Sequence, residues 1–176
     1  MKSRLALGYF LVAALVPLTA AAYEGGGDTL VRFRGGIGVD VVASVTVNGG
    51  TTTVSPNTVR GVSPPGDPWR IADLAAKIST DGHILVVGRG LLLAGGNGIG
   101  TNGGQSVFAT LFCGPAASAS ASSSSVTGVP LDAEGNFTIN DVLSPAPPNR
   151  CDTPVLLIQT TAGTHPWFAA AIPDVD

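Results

Sequence analysis

The stretch WRIADLAAKISTDGHILVV, residues 69–87, decides the fold of this chain. Its first half fits a helix or a strand, because its apolar residues recur both at steps of three and four and at steps of two. Asp81-Gly82 then supplies a two-residue hairpin signal, and the β-branched run Ile84–Val87 follows it. Since a hairpin needs a strand on each side of its turn, we predict strand over most of Trp69–Ser79.

Short apolar segments separated by turn signals continue in both directions from this hairpin. We predict further strands at Thr29–Arg34, Val39–Val47, Thr51–Ser55, Leu91–Ala94, Ser106–Cys113, Val126–Leu131, Asn136–Ile139, Pro154–Thr160 and Trp167–Ile172. Strands at a spacing of roughly 8–12 residues are typical of sandwiches and barrels. The sequence therefore predicts a single all-β domain, an antiparallel β-sandwich, with a small β-barrel as the alternative.

Several segments carry more specific expectations. Ser106–Cys113 is apolar on both faces, which is typical of a central strand. Ala116–Ser125 alternates Ala and Ser as an edge strand can, but its low complexity equally fits a flexible loop. The glycines at 35, 36 and 38 indicate a bulge or a close backbone approach. Asp132–Gly135 predicts a hairpin turn after which Phe137 and Ile139 point inward.

The N-terminus has the pattern of an export signal. Lys2 and Arg4 precede an apolar run of about 14 residues, Leu5–Leu18, and small residues follow at 19–22. We predict a signal peptide at residues 1–22 and a secreted β domain at residues 23–176, in the extracellular space or the periplasm. The alternative is an uncleaved anchor, but the run is shorter than the roughly 20 residues that span a bilayer. We expect no membrane span after cleavage.

Cys113 and Cys151 are the two cysteines of the chain. In an exported protein a lone pair most simply forms a disulfide. A metal pair or a reactive thiol is the alternative, but neither cysteine has another cysteine or a histidine at ligand spacing. A bridge closing about 38 residues would contribute roughly 4 kcal/mol by restricting the unfolded chain. We predict the disulfide Cys113–Cys151.

The balance of charge argues against two classes of partner. Without residues 1–22, seven Lys and Arg remain against twelve Asp and Glu, which is a net charge of −5. Lys77 is then the sole lysine. Because nucleic acids and anionic lipids are bound through Lys and Arg, we expect neither nucleic acid nor an anionic membrane surface as a partner.

The segment Gly98–Gly103 matches the G-x-G-x-x-G pattern of dinucleotide-binding loops. Such a site needs a helix directly after the loop, with its N-terminus against the pyrophosphate. Here the next segment, Gln105–Cys113, is predicted to be a strand. The loop also lacks the aspartates of calcium-binding glycine-rich repeats. We therefore expect a turn between strands and no cofactor.

Signatures of catalysis are weak. The chain has no G-x-S-x-G motif. Its two histidines, His83 and His165, fall in predicted turns and are too few for a zinc site. The carboxylates that could support glycoside hydrolysis are Asp73, Asp81, Asp132 and Glu134, and the last three stand in turn signals. Trp69 and Trp167 are expected in the core or at its rim, which argues against sugar binding on exposed rings. We assign no catalytic, cofactor-binding or metal residue.

Five segments together resemble a group of small exported bacterial β-rich proteins of uncharacterised function. They are PWRIADL (Pro68–Leu74), GRGLLLAGGNGIGTNGGQSV (Gly88–Val107), ATLFCGP (Ala109–Pro115), CDTPVLLI (Cys151–Ile158) and WFAAAIP (Trp167–Pro173). The resemblance covers most of the chain after residue 22. It implies export and a β-rich fold, and it implies no activity and no site.

The functional expectation follows from the export pattern and from the lack of a coherent catalytic set. We expect a secreted, non-enzymatic binding or structural module that recognises an extracellular ligand or an envelope component. Two alternatives stay open. One is a small secreted hydrolase whose site is assembled from distant residues, and the other is a barrel that holds a small apolar ligand inside it.

Overall fold

The computed structural model describes residues 27–174, so the predicted signal peptide at residues 1–22 lies outside the described residues. Within that range the chain forms strands and no helix, which confirms the all-β expectation. The strands are β1 (Thr29–Gly38), β2 (Val42–Asn48), β3 (Thr51–Pro56), β4 (Trp69–Arg70), β5 (Asp73–Ser79), β6 (His83–Arg89), β7 (Leu92–Leu93), β8 (Ser106–Cys113), β9 (Ser120–Ser123), β10 (Val129–Pro130), β11 (Phe137–Val142), β12 (Val155–Thr160) and β13 (Trp167–Pro173).

One antiparallel sheet carries the core. Its order is β10-β8-β12-β13-β1-β5-β6-β11, and β9 pairs with the second half of β8. The sheet curls into a half-barrel. Its two end strands, β10 and β11, are consecutive in the chain, and Ser123 and Ser144 exchange two backbone hydrogen bonds of 3.0 and 2.8 Å. The curl therefore brings the two ends of the sheet together.

The interior of the curl is filled by aliphatic side chains. Leu111 on β8 lies opposite Leu156 on β12, and Ile158 lies opposite Ala169 on β13. All four residues are fully shielded from solvent. The other face of β8 is buried as well, since Phe108 and Phe112 are only 3% and 8% exposed. This two-sided burial confirms the prediction that Ser106–Cys113 is a central strand.

The connection between β3 and β4 covers the outer face of β13. Trp167 anchors it, because its indole Nε1 donates to the carbonyl of Asn57 at 2.9 Å and its amide donates to the carbonyl of Ser63 at 3.2 Å. Val59 and Val62 pack against the core from this connection. The segment is thus fixed against the sheet although it contributes no strand to it.

The disulfide Cys113–Cys151 forms as predicted. It joins the end of β8 to the segment before β12, where the amide of Gly114 donates to the carbonyl of Asp152 at 2.6 Å. Inside the loop that it closes, Ser120–Ser123 is an edge strand paired with β8. Of the two interpretations of Ala116–Ser125, the strand holds for these four residues, and residues 116–119 precede it in a turn.

Two turn predictions differ from the structure. The hairpin between β5 and β6 exists, but the amide of Gly82 donates to the carbonyl of Ser79 at 2.9 Å. Thr80 and Asp81 are therefore the central residues, and Gly82 takes the left-handed conformation, φ 88°, at the return to β6. The hairpin predicted from Val126 to Ile139 is wrong: β10 pairs with β8, whereas β11 pairs with β6. Its turn exists, and Phe137 and Ile139 point inward as expected.

Two further expectations are met in part. The glycines after Phe33 do not end β1, but its register against β13 shifts between Phe33 and Gly36. A Cβ on Gly38 would overlap the carbonyl oxygen of Trp69, so the bulge and the close approach are both present. The strand predicted at Leu91–Ala94 shortens to β7, which pairs with β4 outside the main sheet.

The hairpin of β2 and β3, residues 42–56, projects from the body, and we call it the arm. It turns at Asn48-Gly49-Gly50, between two strands predicted from the sequence. Every residue of both strands is exposed, and within the described chain neither strand pairs with anything but the other.

Among residues 27–174 there is no helix with the length and apolar character needed to cross a membrane.

Candidate functional site

His83 pairs with Asp81 on the β5–β6 turn. Its Nδ1 lies 2.9 Å from Asp81 Oδ2, and its amide donates to Asp81 Oδ1 at 3.2 Å. That backbone hydrogen bond, more than the nearby imidazole, lowers the pKa of the Asp81 carboxyl below its ordinary value. The pair is local in sequence and half-exposed, as in a turn that orders its own side chains.

A serine nucleophile does not complete this pair. Ser79 ends β5 nearby, but its hydroxyl is buried and has no hydrogen-bond partner among the described residues. A serine becomes nucleophilic when an adjacent base accepts its proton. His165 is likewise committed to a turn: its Nδ1 lies 3.1 Å from the carbonyl oxygen of Thr160, and its ring meets the Phe108 ring edge-on.

The carboxylates named as hydrolase candidates do not converge in a cleft. Asp73 stands opposite Arg89 on the exposed side of β5. Asp132 accepts the amides of Asn136 and Glu134 at 2.7 and 3.0 Å. The hydrogen bond from the Asn136 amide is the main cause that lowers the pKa of Asp132. Asp81 and Asp132 are thus turn residues whose carboxylates accept backbone amides.

The glycine-rich loop is closed by its own hydrogen bonds. The amides of Gly100 and Thr101 donate to the carbonyls of Leu93 and Gly98, and the amide of Gly104 donates to Asn102 Oδ1 at 2.9 Å. β8 follows the loop, as predicted. A phosphate cradle needs free amides at a helix N-terminus. Among the described residues the loop leads into β8 and not into a helix, so it lacks the helix N-terminus that this pattern places against a phosphate.

The Trp69 and Trp167 rings are buried, as expected, at 5% and 3% exposure. Trp69 stacks on Phe168 with the ring centroids 4.0 Å apart. A groove of about 410 Å³ is lined by these two rings and by residues that include Asp67, Gln105 and Thr164. Two of its polar side chains are paired with each other, since Thr160 donates to Gln105 Oε1 at 2.7 Å. The stacked faces are not presented to solvent as a sugar platform would be.

A second cleft, of about 440 Å³, lies on the outer face of β8 and β12, and we call it the Gln159 cleft. Phe108, Thr110 and Phe112 come from β8, and Gln159 comes from β12. The rim is formed by Gly61, Val62, Ser63, Ser123, Val126, Thr164 and His165. Alternation along two paired strands places these side chains on one face, because Gln159 is in register with Phe108 and Leu157 with Thr110.

Gln159 is the unusual residue of this cleft. It is 6% exposed, and its Nε2 donates to the carbonyl of His165 at 2.8 Å. That bond orients the amide, since the reversed amide would set two acceptors against each other. Its Oε1 is buried and accepts no hydrogen bond from any described residue. Leaving such an acceptor unsatisfied costs about 1–3 kcal/mol.

Three other polar side chains of the cleft are paired. Thr110 and Ser123 share a hydrogen bond of 2.9 Å between their hydroxyls, and Nδ1 of His165 is occupied by Thr160. Phe108 and Phe112 supply an apolar wall. The arrangement therefore combines two phenylalanine side chains with one buried acceptor that has no partner among the described residues.

The sequence did not single out Gln159. The available signal was a glutamine at the end of the apolar run PVLLIQT, where an alternating strand predicts burial. Cys113 and Cys151, the two residues assigned in advance, lie outside the residues that line the cleft. Within the described part of the chain, no three His, Cys, Asp or Glu side chains are grouped to hold a metal ion.

Comparisons with protein-family models, with curated proteins and with solved structures found no match to this chain.

Proposed function

We propose that this chain is a secreted, non-enzymatic binding module whose ligand site is the Gln159 cleft. The observation that carries the proposal is the buried Oε1 of Gln159, an oriented acceptor without a partner beside two phenylalanines. A volume of about 440 Å³ lies in the usual range of small-molecule sites. The disulfide fits an oxidising compartment, and the signal-like N-terminus supports export.

The cleft favours a particular ligand chemistry. An apolar or aromatic group would contact Phe108 and Phe112. Because the Oε1 of Gln159 is buried, an N–H or O–H donor would satisfy it only after a side chain at the rim of the cleft moves aside. No charged side chain lines the cleft, so an ionised ligand would lose hydration without gaining a counter-ion. The expected ligand is a neutral molecule with one apolar face and one hydrogen-bond donor.

Benzyl alcohol tests this expectation, with benzyl methyl ether as the matched probe that lacks the donor. In a nitrogen-15 NMR titration, the alcohol should shift the amides of Phe108, Thr110 and Phe112 at lower concentration than the ether does. Gln159→Leu should remove the preference while Val126→Ala at the rim keeps it. The proposal fails if both probes bind equally to the wild type, or if the shifts fall outside the cleft.

A small hydrolase remains the second candidate, and the His83–Asp81 pair is the observation that favours it. We expect no turnover of ester, peptide or glycoside substrates. Hydrolysis that is lost in His83→Ala and retained in His165→Ala would establish the enzyme. The buried hydroxyl of Ser79 supports the non-enzymatic proposal, because a substrate carbonyl would have to reach it through the end of β5.

For the architecture, we infer a small barrel in preference to a sandwich. The single sheet order, with the consecutive strands β10 and β11 at its two ends, supports closure. So does the amide of Ser125, which donates to Asp141 Oδ2 at 2.7 Å across the same seam. Because the interior is packed with side chains such as Leu111 and Ile158, the ligand is expected on the outer face and not inside the barrel.

A further inference from the structure

The arm, residues 42–56, exposes apolar surface that the described chain leaves uncovered. Val45, Val47 and Val54 are 58%, 65% and 54% exposed. The register pairs Val45 with Val54 and Val47 with Thr52, so the three valines share one face of the ribbon. An isolated two-stranded hairpin is at best marginally stable in water, whereas three or more strands with an apolar face can be stable.

Both long edges of the arm are also open. The turn between the strands has two central residues, Gly49 and Gly50, so the pairs that exchange hydrogen bonds alternate from Asn48–Thr51 onward. The backbone N–H and C=O groups of Val45 and Val47 therefore face away from β3. They form an unpaired strand edge of the kind that accepts another strand.

The arm lacks the devices that normally protect an edge. Residues 41–59 contain no Lys, Arg, Asp or Glu. Proline occurs at Pro56, at the end of β3, and β2 has none. Charged residues and prolines on edges are what prevent two copies of a protein from pairing. The edge of β2 thus carries nothing that would repel an identical edge.

We propose that the arm pairs with the arm of a second copy of this chain, β2 against β2 in antiparallel orientation. A strand edge is complementary to itself about a twofold axis, because the same N–H and C=O groups face each other after the rotation. The product is a four-stranded sheet that brings the valine faces of both copies together. The uncharged arms meet while the charged bodies, which hold an excess of Asp and Glu over Lys and Arg, stay apart.

The partner is a second copy because the surface has no chemistry that selects anything else. An acidic or basic partner would find no opposite charge between residues 41 and 59. A small ligand would find no concavity, since the ribbon is exposed on both faces. A second arm offers the same unpaired backbone edge and the same exposed valines, so it can satisfy both.

Sedimentation equilibrium on the exported protein tests this pairing, and Ile99 provides a matched control. Ile99 is 65% exposed, against 58% for Val45, but lies in the glycine-rich loop of the body. We expect a monomer–dimer equilibrium in the wild type. Val45→Lys should raise its dissociation constant at least tenfold, because the twofold axis brings the two lysines close, and Ile99→Lys should leave it unchanged.

Mixing charged variants distinguishes a second copy from any other partner. Val45→Lys and Val45→Glu should each be monomeric alone and should associate when mixed, because opposite charges then meet across the axis. A wild type that stays monomeric up to about 1 mM would overturn the proposal. So would equal effects at 45 and 99, no association in the mixture, or an open-ended polymer in place of a dimer. None of these outcomes depends on the Gln159 cleft.

Discussion

Gly88 shows how one missing side chain shapes the core. It lies on β6 in register with Phe137 on β11, and a Cβ on Gly88 would overlap the Phe137 ring. The phenylalanine therefore lies flat across the strand, and the glycine is needed for space and not for a turn. Neighbouring Val86 and Ile139 are buried on the same face, so the ring has little room to move.

We expect Gly88→Ala to destabilise the protein by about 1–3 kcal/mol through overpacking. Urea unfolding would measure it. The matched control is Gly66→Ala, because a Cβ there meets nothing within 4 Å, and its effect should stay within about 0.5 kcal/mol. Adding Phe137→Leu should recover part of the loss in Gly88→Ala. Equal midpoints for the two alanine variants would show that the ring yields freely.

Asp132 makes the stability of the protein depend on pH at the acid end. Backbone donors hold its pKa below the ordinary value of 3.8 in the folded protein. The unfolded chain therefore binds a proton more readily, so folding stability rises with pH through this window. The contribution is fully present above the unfolded pKa and is lost as pH falls through the folded one. Asp81 acts with the same sign.

We therefore expect Asp132→Asn to flatten the fall in stability between about pH 5 and pH 3, a window around the ordinary aspartate pKa. Urea midpoints across this range would measure the slope for variant and wild type. Asp67→Asn is the control, since the Asp67 carboxylate accepts no hydrogen bond from a residue within the described range 27–174. If the two variants lose stability in parallel, Asp132 is not the titrating group.

At the scale of single residues, the sequence anticipated conformation better than function. The disulfide between Cys113 and Cys151 could be predicted, because they are the two cysteines of a chain with an export pattern and neither has another metal ligand at suitable spacing. Gln159 could not be identified, because the role proposed for it depends on a buried oxygen that accepts no hydrogen bond from a described residue. Whether such an atom has a partner depends on segments that are distant in the sequence. A glutamine in an apolar strand signals burial but does not reveal which of its atoms is satisfied.

Among the elements, the glycine-rich loop is ordered by Asn102. Its Nδ2 donates to the carbonyls of Leu131 and Asp132 at 3.1 and 2.7 Å, and its Oδ1 accepts from Gly104. These bonds tie the loop to the connection between β10 and β11. The loop therefore supports the connection between β10 and β11 at the seam of the curled sheet.

We expect Asn102→Ala to lower the free energy of unfolding by about 1–3 kcal/mol, because two carbonyls and one amide lose their partner. Hydrogen exchange at Gly104 should accelerate in the same variant. Asn97→Ala is the control: Asn97 lies in the same loop, but it is exposed and makes no side-chain hydrogen bond to a described residue. Identical exchange rates at Gly104 in the two variants would contradict this role.

Local signals predicted the existence of most strands but not always their partners. The strand pairs β2–β3, β5–β6 and β12–β13 can be predicted from the sequence, because each consists of two alternating segments separated by a few turn residues. The pair β10 and β11 was misassigned because its turn Asp132–Gly135 looks like any other. Its strands bind opposite ends of the sheet, which is a consequence of the curl and has no local signature.

At the scale of the molecule, the disulfide closes a loop that spans the seam. Cys113 and Cys151 are 38 positions apart in the sequence, and β9, β10 and β11 lie between them. β9 and β10 pair with β8, whereas β11 pairs with β6 at the other end. The bridge thus restricts the unfolded chain in the segment whose long-range pairings are entropically the most demanding.

We expect Cys113→Ser combined with Cys151→Ser to lower the free energy of unfolding by about 2–4 kcal/mol. For a domain of this size the midpoint of thermal unfolding should fall by roughly 5–15 °C. The double variant avoids the free thiol that a single substitution would leave. Wild type unfolded in the presence of a reductant should match the double variant, because each lacks the same constraint. An unchanged midpoint in the double variant would contradict this expectation. It would show that backbone hydrogen bonds such as those between Ser123 and Ser144 hold β9 against the segment after β11 without the covalent bond.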